Sequence, residues 1–548
     1  MATFRILTDD LRCPPERVDR LSSITPLDLA RSVPFLSIAR LDPTTRAPVA
    51  GRSISYDLLS PAPITTPGAS VAGRGRPDRP LVSLESVSVT SKQSHDTYTN
   101  SLVQMNFVVH DPEAVFSGDD DVSAWTSVLQ PGALHLLEYG WTSTLDNTNP
   151  ILNGDGFSVP NGRAVPGRRS LVFSSVRYEL GVNTDGSVRF NVHAIESTDT
   201  ALRRATLGES FDPTDHGATV HERSKKLDAL GRLTAIVDSL PRYRRGGLTD
   251  AILFKDVADR VLAPVVESVA LAMGYGSVDL AFGQFNETTG ATSAPYGGVD
   301  MSSLSIGEFP IPVRKLKDLL GTLAANNRVV VVDVLMQLVV NLLRGNEPWA
   351  TAPAGKQRLV PSLSIHALTT RPGGGKLVYH LWIIDDHAGR TPFADKAFAG
   401  PDKTRADVRR RVREAGVPFI QLGHGHSFVE EVALEVIQTD LLKAIAIERA
   451  VGKTRSDIVT ASPEALAKAA VAPSRLIHMS TVQGTIRMIG NFVFENFQTV
   501  WLDVFGVRQT SGPFVITGKT DTIEPGRFTS TLDVISDGTD PLGTRRVD

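Results

Sequence analysis

Residues 176–194 read VRYELGVNTDGSVRFNVHA. Val176, Tyr178, Leu180 and Val182 alternate with Arg177, Glu179 and Gly181 along one arm. Val188, Phe190, Val192 and Ala194 alternate in the same way along the other. A period of two is the pattern of a half-buried strand. Asn183-Thr184-Asp185-Gly186 stands between the arms, and its Asp-Gly pair supplies the positive φ of a tight hairpin turn. An antiparallel hairpin here makes the surrounding region a β-domain.

More strands precede it. Val33 to Leu41 reads as a short strand closed by Asp42-Pro43. Leu84 to Thr90 is another. Val103, Met105, Phe107 and Val109 alternate with Gln104, Asn106 and Val108, and His110-Asp111-Pro112 ends that run. Ala133 to Tyr139 is a further strand that Gly140 ends. Together these predict a barrel or sandwich finishing near Glu196.

The next stretch changes character. Thr200 to Leu240 and Thr249 to Met273 have helical spacing, and Pro264 should kink or interrupt the second. Gly274 to Gly298 reads as a Gly/Ser/Thr-rich loop, and Val313 to Leu323 and Arg328 to Leu343 as two helices. Strands then return. Ser362 to Thr369 and Leu377 to Asp385 flank Gly373-Gly374-Gly375 as a second hairpin. After a charged helix from Asp402 to Gly416 come Phe419 to Leu422, Phe428 to Gln438, Thr485 to Ile489, Val500 to Val504, Phe514 to Lys519 and Phe528 to Val534. The class is α+β, ordered β-rich, helical, β-rich. The expected divisions are an N-terminal segment with a Pro/Gly-rich linker (1–80), a first β-domain (81–198), a mainly helical insertion (199–345), a second β-domain (346–536) and a tail (537–548).

Composition narrows the function. The 548 residues carry 57 Lys plus Arg against 60 Asp plus Glu, a formal charge of -3. That balance argues against sequence-specific nucleic-acid binding or attachment to an anionic membrane, which need a basic excess. Cys13 is the single cysteine, so an intrachain disulfide, a cysteine-rich zinc site and a CxxC redox pair are excluded. One thiol fits maturation in a reducing cytoplasm. The N-terminus shows no apolar signal segment, and Val329 to Leu343, interrupted by Asp333 and Gln337, is too short to span a bilayer.

Catalytic motifs are incomplete. Gly452-Lys453-Thr454 and Gly518-Lys519-Thr520 lack the first P-loop glycine, replaced by Ile447 and Pro513. His221-Glu222 would need a second histidine where Lys225 stands. Cys13 has no adjacent histidine to activate it. His424-Gly425-His426 is the best metal candidate, with Glu430 near in sequence, but no further ligand is identifiable. Asp119-Asp120-Asp121 suits a helix N-terminus better than a calcium loop. Arg409-Arg410-Arg411 with Arg413 reads as a solvated helix face. No cofactor, metal or catalytic group is expected.

Two segments resemble a known group. Pro131-Gly132-Ala133-Leu134-His135-Leu136-Leu137-Glu138-Tyr139-Gly140-Trp141 resembles a recurring element of tailed-phage baseplate proteins, a Pro-Gly turn leading into a strand that ends Glu-Tyr-Gly-Trp. The strand from Val103 to Asp111 resembles the one that precedes it in those families. Val500-Trp501-Leu502-Asp503-Val504-Phe505-Gly506, Phe514 to Gly518, and Ile523-Glu524-Pro525-Gly526-Arg527-Phe528-Thr529-Ser530 resemble the closing barrel of baseplate hub proteins. The motif residues are Glu138, Tyr139, Gly140, Trp141, Pro525, Gly526 and Phe528. The matches cover about a third of the chain.

The resemblance to baseplate hubs of contractile tails and related injection systems implies two tube-forming β-barrels per chain, separated in this sequence by the helical insertion. It implies a homotrimeric ring of pseudo-sixfold symmetry that adapts the tail tube to the central spike, with wedge proteins as neighbours. It implies a virion baseplate location after assembly in the host cytoplasm, and a structural role without enzymatic activity. A peripheral or wedge position in the same assembly and a tail-associated cell-wall hydrolase are the alternatives.

Overall fold

The computed structural model describes residues 3–6, 15–42, 44–56, 82–94, 98–110, 112, 128–143, 147, 149–157, 165–204, 234, 237–245, 248–283, 305–325, 363–371, 375–385, 407, 409, 410, 412, 417–422, 428–436, 482–496, 498–503 and 512–536. The linker Pro61 to Pro80, the helix Arg328 to Leu343, the Asp119 to Asp121 run, Cys13, His221, His424 and His426 lie outside these residues.

The strands of the first part are β1 (Thr3–Ile6), β2 (Ser32–Leu41), β3 (Pro48–Tyr56), β4 (Val82–Ser94), β5 (Tyr98–Val109), β6 (Leu134–Ser143), β7 (Arg168–Val182) and β8 (Val188–Glu196). The middle contributes β9 (Tyr243–Arg245), β10 (Leu248–Leu253), β11 (Ser277–Phe282) and β12 (Pro310–Pro312). The last part has β13 (Leu363–Thr370), β14 (Val378–Asp385), β15 (Phe419–Gln421), β16 (Val429–Val436), β17 (Val482–Ile489), β18 (Thr499–Asp503), β19 (Gly512–Glu524) and β20 (Arg527–Ser536). Helices are α1 (Pro15–Ser22), α2 (Pro26–Ala30), α3 (Ser197–Arg204), α4 (Phe254–Val257), α5 (Ala263–Ala272) and α6 (Val313–Ala325).

One antiparallel ladder runs β3, β2, β6, β7, β8, β5, β4, β19, β20, β17, β16. Its middle joint is β4 against β19, with Val87 opposite Ile523 and Lys92 opposite Gly518. The N-terminal and C-terminal β regions therefore share one curled sheet, and the described strands do not form two separate barrels. β18 adds to the first half of β19, and β15 lies parallel to β18. A second group, β13, β14, β11 and β1, attaches through a single bridge between Ile365 and Tyr98.

The curl encloses a core in which Phe107, Phe190, Tyr139, Trp141, Phe492 and Phe528 are buried together. β6 and the first half of β7 are covered on both faces. Leu137, Tyr139 and Leu171 point into this core, while Leu136 and Val172 point into a second one. That second core holds α4, α5 and α6 against β11, β13 and β14.

The hairpin β7–β8 forms as its sequence predicts, with Val182 opposite Val188, Asn183 N–H on the Ser187 carbonyl at 2.8 Å and Gly186 at φ +80°. Three readings need correction. Strand replaces the expected helix and loop at two places in the middle region. Residues 248–253 are strand rather than the start of a helix, and β11 lies inside the stretch read as loop. β11 is parallel to both β1 and β14, so its Val278, Leu280 and Phe282 are buried. Pro264 stands in the first turn of α5, and a π-helical turn, Ala258–Leu262, interrupts the α-helix just before it, widening the turn where a backbone donor is missing. Gly140 does not end a strand, because β6 continues to Ser143.

Candidate functional site

The two motif segments meet. Trp141 on β6 packs on Phe528 of β20 at 5.6 Å between ring centroids, and Tyr139 packs edge-on to Phe528 at 6.1 Å. The Trp141 indole N–H donates to the Gly490 carbonyl at 2.7 Å. Gly490 precedes Phe492, whose ring meets Tyr139 at 5.5 Å. Burial of these aromatic rings contributes about 1.5–3 kcal/mol for each side chain. Glu138 points to the opposite face of β6, where it takes a 2.9 Å hydrogen bond from Arg371 and a 3.2 Å one from Ser170. Pro525 and Gly526 form the β19–β20 turn between Glu524 and Arg527, with Gly526 at φ +76°.

Beside the aromatic contacts lies a buried ionic cluster. Arg169, directly opposite Tyr139 across β6 and β7, pairs with Glu495. Lys519 and Asp521 lie on β19 and are 2% and 1% exposed. The Lys519 ammonium donates to the Asn491 carbonyl at 2.6 Å and sits 3.3 Å from Asp521. Asp521 accepts from the Tyr139 hydroxyl at 3.1 Å and from Ser530 Oγ at 2.6 Å. His366 on β13 lies 3.8 Å from Glu495. The charges balance, Arg169 and Lys519 against Glu495 and Asp521, so the cluster tolerates burial that no single member could.

Burial works to raise the Glu495 carboxyl, but the Arg169 guanidinium overrides it and holds the group well below the usual carboxylate range. Burial lowers the Lys519 ammonium despite Asp521. Burial, then Asp521, raises the Tyr139 phenol well above its ordinary value. Next to the cluster is an internal cavity of about 20 Å³ lined by Ser91, Ser101, Arg169, Thr369, Glu495 and Lys519. That is room for one water among polar walls. The arrangement locks strands together: β6, β7, β13 and β19 and the 490–496 segment all contribute.

The sequence reading did not identify Arg169, Glu495, Lys519 or Asp521 as a cluster. One signal was available. Lys519 and Asp521 fall in phase with inward-facing Ile523, and charges at core positions of a strand require partners. Gly518-Lys519-Thr520 is extended strand, so it cradles no phosphate. Among the described residues, no three His, Cys, Asp or Glu side chains group to hold a metal, and no helix is long and apolar enough to cross a membrane.

No family model matches the chain, and no curated protein sequence does. Among the solved structures similar to this chain are a type VI secretion component and phage tail proteins. An E. coli type VI secretion component, described as similar to tail proteins of bacteriophage T4, aligns at 10% identity over 86% of this chain and 78% of its own, with a TM-score of 0.29. The 43 kDa tail protein of prophage MuSo2 from Shewanella oneidensis aligns at 9% identity over 83% and 93%, with a TM-score of 0.31. A chain of the Francisella PdpA–VgrG complex aligns at 7% identity over 94% of this chain and about half (54%) of its own, with a TM-score of 0.34. At these scores the likeness carries no functional argument.

Proposed function

We propose that this chain is a structural hub component of a contractile tail baseplate or of a related injection system. In this reading three copies close a ring that adapts the tail tube to the central spike, with wedge proteins around it. Residues 81–198 and 346–536 contribute its two tube-forming β regions, joined through β4 and β19, with 199–345 between them, 1–80 leading in and 537–548 trailing. It works in the virion baseplate after assembly in the host cytoplasm. The observation that carries the reading is the convergence of the two segments that bear the resemblance. Tyr139 and Trp141 from the first close one core with Phe528 from the second. A part built for such a role needs a stiff sheet and self-complementary surfaces rather than reactive groups. Electron-microscopic imaging of the purified chain tests it: three-chain rings of pseudo-sixfold outline support the hub, and six copies around a separate centre favour the wedge position.

One arrangement favours a second reading, a tail-associated hydrolase. His380 on β14 accepts or donates at 2.7 Å to Thr370 Oγ1 through Nε2, and its Nδ1 lies 2.9 Å from Asp279 Oδ2. A hydroxyl, an imidazole and a carboxylate in this order can activate the hydroxyl for acyl transfer. Labelling of Thr370 by a fluorophosphonate, lost in His380→Ala, would favour that reading; no labelling would remove it.

A further inference from the structure

The outer half of β7 carries an apolar stripe with no cover among the described residues. Val176, Tyr178, Leu180 and Val182 are 53%, 44%, 60% and 70% exposed. Their register explains why they are apolar. Tyr178 stands opposite Val192, Leu180 opposite Phe190 and Val182 opposite Val188. Val192 and Phe190 are buried, and the Tyr178 ring lies 6.1 Å from Phe190. The stripe is thus the main core layer continued one strand further, past the point where its cover ends. β6 accompanies β7 only between Arg168 and Ser174, so the outer half of β7 also has one edge beyond its reach.

Beyond this half-strand, the other exposed large apolar side chains among the described residues are Leu27, Leu102 and Leu271, each on a different element. No other described surface of the chain presents a matching stripe. The stripe itself bears no charge. Its strand neighbours, Arg177 and Glu179, pair with each other at 3.5 Å on the opposite face of the strand. The exposed apolar area is on the order of 400 Å², at the upper range of what monomers leave open. It is about half of the ~800 Å² that one side of a standard interface buries, the share expected of an interface core inside a polar rim.

We propose that the stripe Val176–Tyr178–Leu180–Val182 is a contact between copies of this chain. The proposal rests on the ring reading above and names the surface that reading leaves open. Leu180 and Val182 are mostly exposed, so replacing them spares the core.

Sedimentation velocity on the full chain tests it, comparing the wild type with Leu180→Asp/Val182→Asp and with Leu27→Asp as a control for a single exposed leucine. The expected result is an oligomer for the wild type and Leu27→Asp, and loss of that oligomer in the double variant with an unchanged melting temperature. An oligomer that survives the double variant overturns the stripe contact and leaves the ring reading standing. A wild-type monomer at every concentration overturns both. If the double variant melts early, Leu180→Ser/Val182→Ser, which adds no charge, replaces it, and retention of the oligomer in that folded variant overturns the contact.

Discussion

The hydroxyl of Tyr139 donates to Asp521 Oδ2 at 3.1 Å across 382 residues of chain. One bond joins the strand that carries Glu-Tyr-Gly-Trp to the strand that leads into Pro-Gly-Arg-Phe. Both partners are buried, and both belong to a cluster whose other members come from β7, β13, β19 and the 490–496 segment. The β regions at the two ends of the sequence are therefore held by polar pairing as well as by apolar packing.

Tyr139→Phe keeps the ring contacts with Phe492 and Phe528 and removes only this donor. Asp521 retains Ser530 and Lys519. Urea unfolding should show a loss of about 1–3 kcal/mol, the range for a buried acceptor that loses one partner. Phe528→Ala, which opens a cavity against both Tyr139 and Trp141, should lose about 3–5 kcal/mol.

The two motif glycines should respond differently. A Cβ at Gly140 would stand 2.5 Å from the Gly167 carbonyl oxygen and 3.0 Å from Arg168 Cα, so β6 and β7 could not keep their spacing. Gly140→Ala should leave little soluble protein. A Cβ at Gly526 meets nothing within 4 Å, and only its φ of +76° resists. Gly526→Ala should express well and lose about 1 kcal/mol. Equal loss of soluble yield in the two variants would contradict this account.

Breaking the Arg169–Glu495 pair from one side strands a buried charge. Glu495→Leu should cost about 3–5 kcal/mol, and Arg169→Met/Glu495→Leu should cost less than the single change. A double-mutant cycle by chemical denaturation reads the difference.

His135 makes stability depend on pH. Burial against Phe173 lowers its pKa from 6.5 to about 4. The folded chain holds the ring neutral while the unfolded chain protonates it below 6.5. Its contribution is complete above pH 6.5 and is lost as pH falls toward 4, amounting to about 3 kcal/mol. Glu495, with a folded pKa below its ordinary 4.5, adds a further loss below that pH. Denaturant midpoints measured from pH 7.5 to 4 should fall, and His135→Phe should flatten the upper part of the curve.

Much of the strand plan was legible because side-chain alternation is local. Val103 to Val109, the Asp185-Gly186 hairpin and the Pro525-Gly526 turn all announce themselves within a few residues. β11 escaped because its six residues, SVDLAF, sit among glycines and serines, although Val278, Leu280 and Phe282 keep the period of two. What the chain does not write locally is which strands pair. β4 against β19 joins residues more than four hundred apart, and nothing in either strand specifies the other. The same holds for the site. Tyr139, Trp141 and Phe528 were visible as motif residues, but Arg169, Glu495 and Asp521 become a cluster only once the sheet has curled. The alternation of Val176 to Val182 predicts a half-buried strand, yet alternation alone does not say what buries its apolar face.

The central claim is that this chain works as a ring of identical copies. Light scattering coupled to size exclusion measures it most directly. The account predicts a principal species of three times the 59.0 kDa chain mass. A single species at the mass of one chain, unchanged as concentration rises, would contradict it.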